Sequence, residues 1–284
     1  MPVKVKSIEQ GYWRHADLPH VELRSTHQSA QPYKTHSHTQ LSIGAIEEGV
    51  TLVQYLGQER AARAGDIVLI EPSQAHSCNP QENQLRSYHM LYLDTEWCLD
   101  RLSAIYQHKI EHLHCDQFIV EDSSLFKTYL LLVQAMLGQR LVELESLLES
   151  LSFSILSQYC APRLAGDEEH EITRYLRRHL VSDLLSPPTL DDLATELTCR
   201  KETIVRLFKQ DTGLPPMAFL NNVRIEKAKS LLRTGTGIAE VATETGYVDQ
   251  SHFHKAFVSY TASTPRQYQQ AKLASLGKPS EITL

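Results

Sequence analysis

Three histidines and two short runs of hydrogen-bonding side chains are where this chain could do chemistry. His36 and His38 are two residues apart, so on a strand both point to one face. With His76 they could set three imidazole nitrogens around an open position, a ligand set that suits Zn or Fe. The same three could instead line a metal-free pocket, and their spacing does not decide between the two. Tyr33, His89 and Tyr92 would complete a wall suited to a small polar molecule. Cys78 and His89 could add a ligand or a redox-sensitive group, although a buried inert thiol is the plainer account of Cys78. The second kind of chemistry is recognition. Arg200, Lys201, Glu202, Val205 and Arg206 fall on the outer face of one short helix, and Gln250, Ser251, His252, His254 and Lys255 on that of another. Arginine or lysine can donate to guanine, glutamine can pair with adenine, and glutamate can accept from cytosine.

Catalysis beyond the histidines finds no support. The sequence has no spaced nucleophile motif, no phosphate-binding loop and no carboxylate pair around a base, so no catalytic residue is assigned and the chain is not expected to be an enzyme. The one enzymatic alternative is a metalloenzyme on His36, His38 and His76, fused to a DNA-binding tail.

The elements that would hold these residues differ between the two halves. From Lys34 to about Asp94, short runs alternate or carry β-branched and aromatic residues: 41–43, 50–55, 67–70 and 87–93, with turns at 57–59 and 64–66. Short antiparallel strands at this spacing predict a small barrel or jelly roll. Residues 1–30 show no long periodic run. Trp97, Cys98, Leu102 and Ile105 predict one short helix within 95–121. From Asp122 to Tyr159, Leu130, Leu137, Leu141, Leu144, Leu148, Leu151 and Ile155 recur mostly at spacings of four and three. That is a heptad seam, for a partner subunit or else for an intramolecular hairpin. Pro162, Gly166 and three acids predict a linker after it.

A repeat organises the C-terminal part. Leu193 and Val241, Ala194 and Ala242, and Glu196 and Glu244 are each 48 residues apart, and Phe208 and Phe257 are 49 apart. Thr189 and Asp192 read as a capping box before the first unit, Thr245-Gly246 as the second unit's turn, and Asp249 as the cap of the helix after it. Each unit predicts two short helices and a tight turn, with Ile204, Leu207, Phe208, Phe253 and Phe257 inward. Between them one helix over 219–232 would bury Ile225, Ala228, Leu231 and Leu232 and leave Arg224, Lys227 and Lys229 solvated. Two such recognition helices, about one DNA turn apart, would enter successive major grooves.

The charge is divided in the same way. The chain carries −6 overall, but residues 1–169 hold 13 basic against 22 acidic side chains and residues 170–275 hold 14 against 11. The basic end is the repeat-bearing end, as contact with double-stranded DNA requires. Five cysteines without a CxxC pair predict free thiols, and no run of 18 apolar residues or signal-peptide pattern is present, so a cytoplasmic protein away from membranes is expected.

The residues also carry a resemblance. Leu193-Ala194, Arg206-Leu207-Phe208-Lys209, Thr212-Gly213, Arg224-Ile225, Ile238-Ala239, Val241-Ala242, Gly246-Tyr247, Gln250-Ser251, Phe253, Phe257 and Thr264-Pro265 through Tyr268 resemble, in order and spacing, the C-terminal domain of AraC/XylS-type transcription regulators. Two positions depart from that pattern: Arg200 stands where serine is usual, and Ala262 where glycine is usual. His36-Ser-His38, Gly49 and the run Gly65-Asp66 to His76 resemble the two half-motifs of a cupin, with Ser42 in place of the usual glutamate and Gln40 nearby. The resemblance implies an α+β multidomain, bacterial-type regulator, nucleoid-associated when bound to DNA. Its parts would be a cupin-like effector-binding barrel over 1–95, a helical dimerisation region over 96–163, a linker over 164–169, a double helix-turn-helix domain over 170–275 and a tail over 276–284. It singles out Arg206 for a base or backbone contact. It implies a small-molecule effector, a homodimer through 122–160 and RNA polymerase as a further partner, with no required cofactor. Effector, operator, regulated genes and activator or repressor action stay undetermined.

Overall fold

The computed structural model describes residues 9–82, 84–163 and 169–270. Its N-terminal half is built on β1 (Glu9–Trp13), β2 (Val21–Ser29), β3 (Leu41–Glu48), β4 (Val50–Tyr55), β5 (Gln58–Arg63), β6 (Ile67–Ile70), β7 (His76–Pro80) and β8 (Arg86–Leu93). Then follow α1 (Thr95–Tyr106), β9 (Leu113–Cys115), β10 (Ile119–Val120), α2 (Ser123–Leu137), α3 (Leu141–Tyr159) and β11 (Cys160–Pro162). Six strands form one sheet in the order β1-β2-β8-β3-β6-β10, and β5-β4-β7 form a second. The large sheet is covered on both faces. Ile43, Leu69, Leu91 and Leu93 pack toward α1, α2 and α3, whereas their neighbours Ile46, Val68, Ile70, Tyr88 and Met90 pack toward Val53, Tyr55 and Cys78 of the small sheet. All four residues of β6 are therefore buried, as a short continuous apolar run requires when both faces are covered. Tyr129 on α2 pins the helical layer to the sheet by donating to the Ile43 carbonyl at 2.8 Å.

Several strands differ from the sequence expectation. β1 and β2 occupy the stretch that showed no periodicity, because the buried residues of β2 include Glu22 and Arg24 instead of an apolar alternation. The turn expected at 57–59 is the two residues Leu56 and Gly57, with φ of 50° and 74°, and Gln58 and Glu59 already belong to β5. A two-residue hairpin loop with both residues left-handed is the mirror-type turn that matches strand twist. His36 and His38 lie on no named strand; a single bridge pairs His36 with His76.

The heptad seam is broken and used internally. Asp122 caps α2 by accepting from Ser124 and Leu125 amides at 2.9 Å, and the helix stops at Gly138. α3 then returns against α2, and Leu144, Leu148, Leu151 and Ile155 are buried in the chain's own core. The intramolecular hairpin holds, and the seam is not free for a partner.

The C-terminal half is all helical: α4 (Glu171–Ser182), α5 (Leu190–Glu196), α6 (Lys201–Thr212), α7 (Pro216–Arg233), α8 (Ile238–Glu244), α9 (Gln250–Thr261) and α10 (Pro265–Gln270). Thr189 and Asp192 make both bonds of the capping box before α5, and Asp249 caps α9 by accepting from the His252 amide at 2.7 Å. Leu176, Leu193, Ile204 and Phe208 form the first unit's core; Ile225, Val241, Phe253 and Phe257 form the second's. Gly246 at the second turn has φ 76°, and a Cβ there would meet the Leu184 carbonyl at 2.3 Å, so only glycine fits. Arg224 donates to that same carbonyl at 2.6 Å and is not simply solvated. Residues 164–168 of the expected linker and all of 271–284 lie outside the described residues.

Candidate functional site

The two halves meet over the histidines. Asn222 on α7 reaches the loop between His36 and His38: its Oδ1 accepts from the Ser37 amide at 3.1 Å, and its Nδ2 donates to the Ser37 carbonyl at 2.7 Å and hydroxyl at 3.3 Å. The Lys34 amide donates to the Ser259 carbonyl at 2.9 Å. Glu22 on β2 is held by Arg14 at 2.8 Å and by Arg233 of α7 at 2.7 Å. Tyr12 of β1 packs edge-on against Tyr268 of α10, with ring centroids 4.9 Å apart. These contacts border a partly open cavity of about 30 Å³ whose wall includes Glu22, Arg24, His36, His38 and Tyr92 from the sheet half, and Asn222, Glu226, Lys229 and Tyr260 from the helical half. Lys229, expected in solvent, is mostly buried and pairs with Glu226 at 2.9 Å.

The structure brings His36, His38 and His76 together, with one ring nitrogen of each within 4.8 Å of the others. Burial holds all three uncharged, pushing His36 down to about 4, His76 to about 3 and His38 well below its ordinary value. Lys229 adds to the effect on His36 and His38, and Arg24 to that on His36. Ser42, in the place of a glutamate, lies with its Oγ 3.2 Å from the His38 ring nitrogens and orients that ring. Neutral imidazoles are a ligand set that fits a divalent metal, and the same cavity wall carries the cations Arg24 and Lys229 together with the carboxylates Glu22 and Glu226. Tyr92 stands edge-on to His38 at 5.3 Å. Tyr33 is one step removed, bonded to Arg24 and Tyr88. His89 is not among them: it lies on the alternate face of β8, bonded to Ser25 at 2.7 Å and to Glu47 at 3.3 Å. Cys78 is buried on β7, which pushes its thiol up to about 11. Arg24, Glu22, Tyr12 and the α7 residues carried no signal in the sequence, since only the long-range docking of the two halves gathers them.

On the outer side, the helix-turn-helix units present the expected surface. Arg200, Glu202 and Arg206 at α6 and Gln250, Ser251, His252, His254 and Lys255 at α9 are exposed, while Lys201 and Val205 are half-buried. Lys201 pairs with Asp191 of α5 at 2.5 Å. Ile204, Phe208, Phe253 and Phe257 are fully buried, and Leu207 is half-buried.

Comparison with known proteins agrees with this division. Residues 18–158 match the AraC-like ligand binding domain family, and residues 193–271 match a helix-turn-helix domain family. The chain is 26% identical over 250 residues to an uncharacterized HTH-type transcriptional regulator of Bacillus subtilis, YbfI, covering 82% of this chain and 86% of that one. It is also 26% identical over 262 residues to the HTH-type transcriptional activator RhaS of Escherichia fergusonii, covering 86% and 90%. The fold is that of ToxT from Vibrio cholerae, with a TM-score of 0.52 at 13% identity over 93% of this chain and 97% of that chain. An N-terminal ligand-binding domain joined to a helix-turn-helix domain defines a ligand-responsive, DNA-binding class of protein. This chain belongs to it as an AraC-type transcription regulator.

Proposed function

We propose that a small polar molecule entering the cavity between the halves controls how α6 and α9 are presented to DNA. The observation that supports this most directly is the shared wall: His36, His38 and Arg24 face Asn222, Glu226 and Lys229 across the junction. A space of about 30 Å³ has room for about two waters. A ligand of several heavy atoms therefore draws α7 back from the sheets, and its differential affinity shifts the population from the docked to the undocked form. The test uses the full chain. Selection from random duplexes should return a site with contacts in two adjacent major grooves. Asn222→Ala removes three bonds, weakens docking by about 2–3 kcal/mol, and should change affinity for that site about fivefold or more. Affinity within about twofold of wild type would overturn the coupling.

A second reading, that His36, His38 and His76 hold Zn or Fe, is favoured by their ring nitrogens lying within 4.8 Å of one another. The metal would polarise or anchor an anionic ligand, and it is also what a metalloenzyme would need. Metal content below about 0.2 equivalents after purification and dialysis against Zn(II) removes both ideas. No helix among the described residues is long and apolar enough to cross a membrane. The reading places the protein in the cytoplasm, nucleoid-associated when bound, as a homodimer that meets RNA polymerase at the promoter. Its relatives are regulators, and no catalytic role is assigned.

A further inference from the structure

We propose that Cys115 and Cys160 are a redox-responsive pair, able to close into a disulfide that fastens the strand leading toward the DNA-binding half onto the sheet half. β9 and β11 make a two-stranded ribbon of their own, with Cys160 directly opposite Cys115. Ladder bonds on either side run from the Asp116 amide to the Tyr159 carbonyl at 3.0 Å and from the Arg163 amide to the His112 carbonyl at 2.9 Å. The Cys115 amide turns the other way, to Glu71 Oε1 at 3.0 Å. The two cysteines thus form a non-hydrogen-bonded pair, where opposed Cα atoms lie about 4.5 Å apart and side chains approach most closely. That separation falls inside the range of about 4.4–6.8 Å that a disulfide spans. The thiol sulphurs are 3.7 Å apart, and both residues are buried. Cys78 instead faces Val53 in its ladder, Cys98 is on α1, and Cys199 stands beside α6.

The oxidant that suits the pair is a peroxide. One cysteine sulphur attacks a peroxide oxygen, breaking the O–O bond and leaving a sulfenic acid and one water. The other sulphur then displaces the sulfenic hydroxyl, which departs as a second water, so two thiol protons and two electrons pass to the peroxide as the S–S bond forms. The hydrogen bond to Cys160, with burial, raises the Cys115 pKa, so reaction waits on opening of the short ribbon. Closure then ties off a loop containing α2 and α3, next to Arg163, whose guanidinium reaches the buried Glu71 at 3.7 Å.

The test treats the full chain with excess hydrogen peroxide, counts thiols after denaturation and maps the peptides. Free thiols should fall from five to three, with the Cys115 and Cys160 peptides joined and dithiothreitol separating them. The oxidised protein should melt about 5 °C higher or more. Cys98→Ala should keep both effects, and Cys115→Ala and Cys160→Ala should each lose both. The wild-type map decides the bridge even where a variant fails to fold. No joined peptide at any peroxide concentration that leaves the far-UV spectrum unchanged would overturn the proposal. So would a bridge between other cysteines, or one that leaves the melting temperature where it was.

Discussion

Ala262 closes α9 in the left-handed region, at φ 50° and ψ 25°, with its side chain fully buried. A Cβ in that conformation crowds the following carbonyl, which is why glycine is the usual occupant. Ala262→Gly is expected to stabilise the helical half by about 0.5–1 kcal/mol, read from the urea midpoint; a lower midpoint would show that methyl packing outweighs the strain. Arg200, the other departure from the family resemblance, is the N-cap of α6 and makes no side-chain cap bond. An exposed guanidinium at the N-terminus of the proposed recognition helix can instead meet a phosphate. Arg200→Ala should then reduce the salt slope of DNA binding by about one, and an unchanged slope would place Arg200 off the backbone. Both positions stood out in the sequence as departures from the family resemblance, and both fall at helix ends, where a single residue decides the cap.

At the level of elements, legibility follows periodicity. The helices from α5 to α9 were readable because Leu193, Ile204, Phe208, Val241, Phe253 and Phe257 repeat in register and are all buried. β5 was not, because an edge strand reading Gln-Glu-Arg-Ala-Ala-Arg carries little β preference and protects an open edge by its charges. The amphipathic stretch from Asp122 to Tyr159 breaks at Gly138 into a hairpin, and Leu144, Leu148, Leu151 and Ile155 turn inward. What α3 leaves outside is a different stripe, with Val142 87% and Phe153 61% exposed and Glu145 and Glu149 between them. A homodimer through this region would use that outer stripe. Phe153→Asp should weaken self-association about tenfold or more in sedimentation runs across a concentration series. Equal association of variant and wild type would move the contact elsewhere.

The whole molecule is held closed by contacts that no local pattern announces. Ser37 and Asn222 are 185 residues apart in sequence and share three hydrogen bonds. Glu22 adds the titratable part of the closure. Burial alone would raise its pKa, but Arg233 and Arg14 outweigh burial and hold it below the ordinary carboxylate value. A carboxylate depressed in the folded state contributes stability at neutral pH, keeps it down to the unfolded value of about 4.3, and loses it as pH falls through the folded value. Docking should therefore persist through mildly acidic solution and fail below that value. Glu22→Gln should weaken docking at pH 7 and flatten the acid limb, as small-angle scattering across pH would show. A limb unchanged in the variant would assign acid opening to another group.

Tyr12 lies in the same apolar cluster as Phe253, Phe257 and Tyr268, so the first described strand completes the core of the last helices. Synthesis makes that strand well before those helices. Until they emerge, Tyr12 lacks the rings it packs on in the folded chain. Every molecule therefore begins its life open, and the closed form is something each copy reaches only after α10 is made.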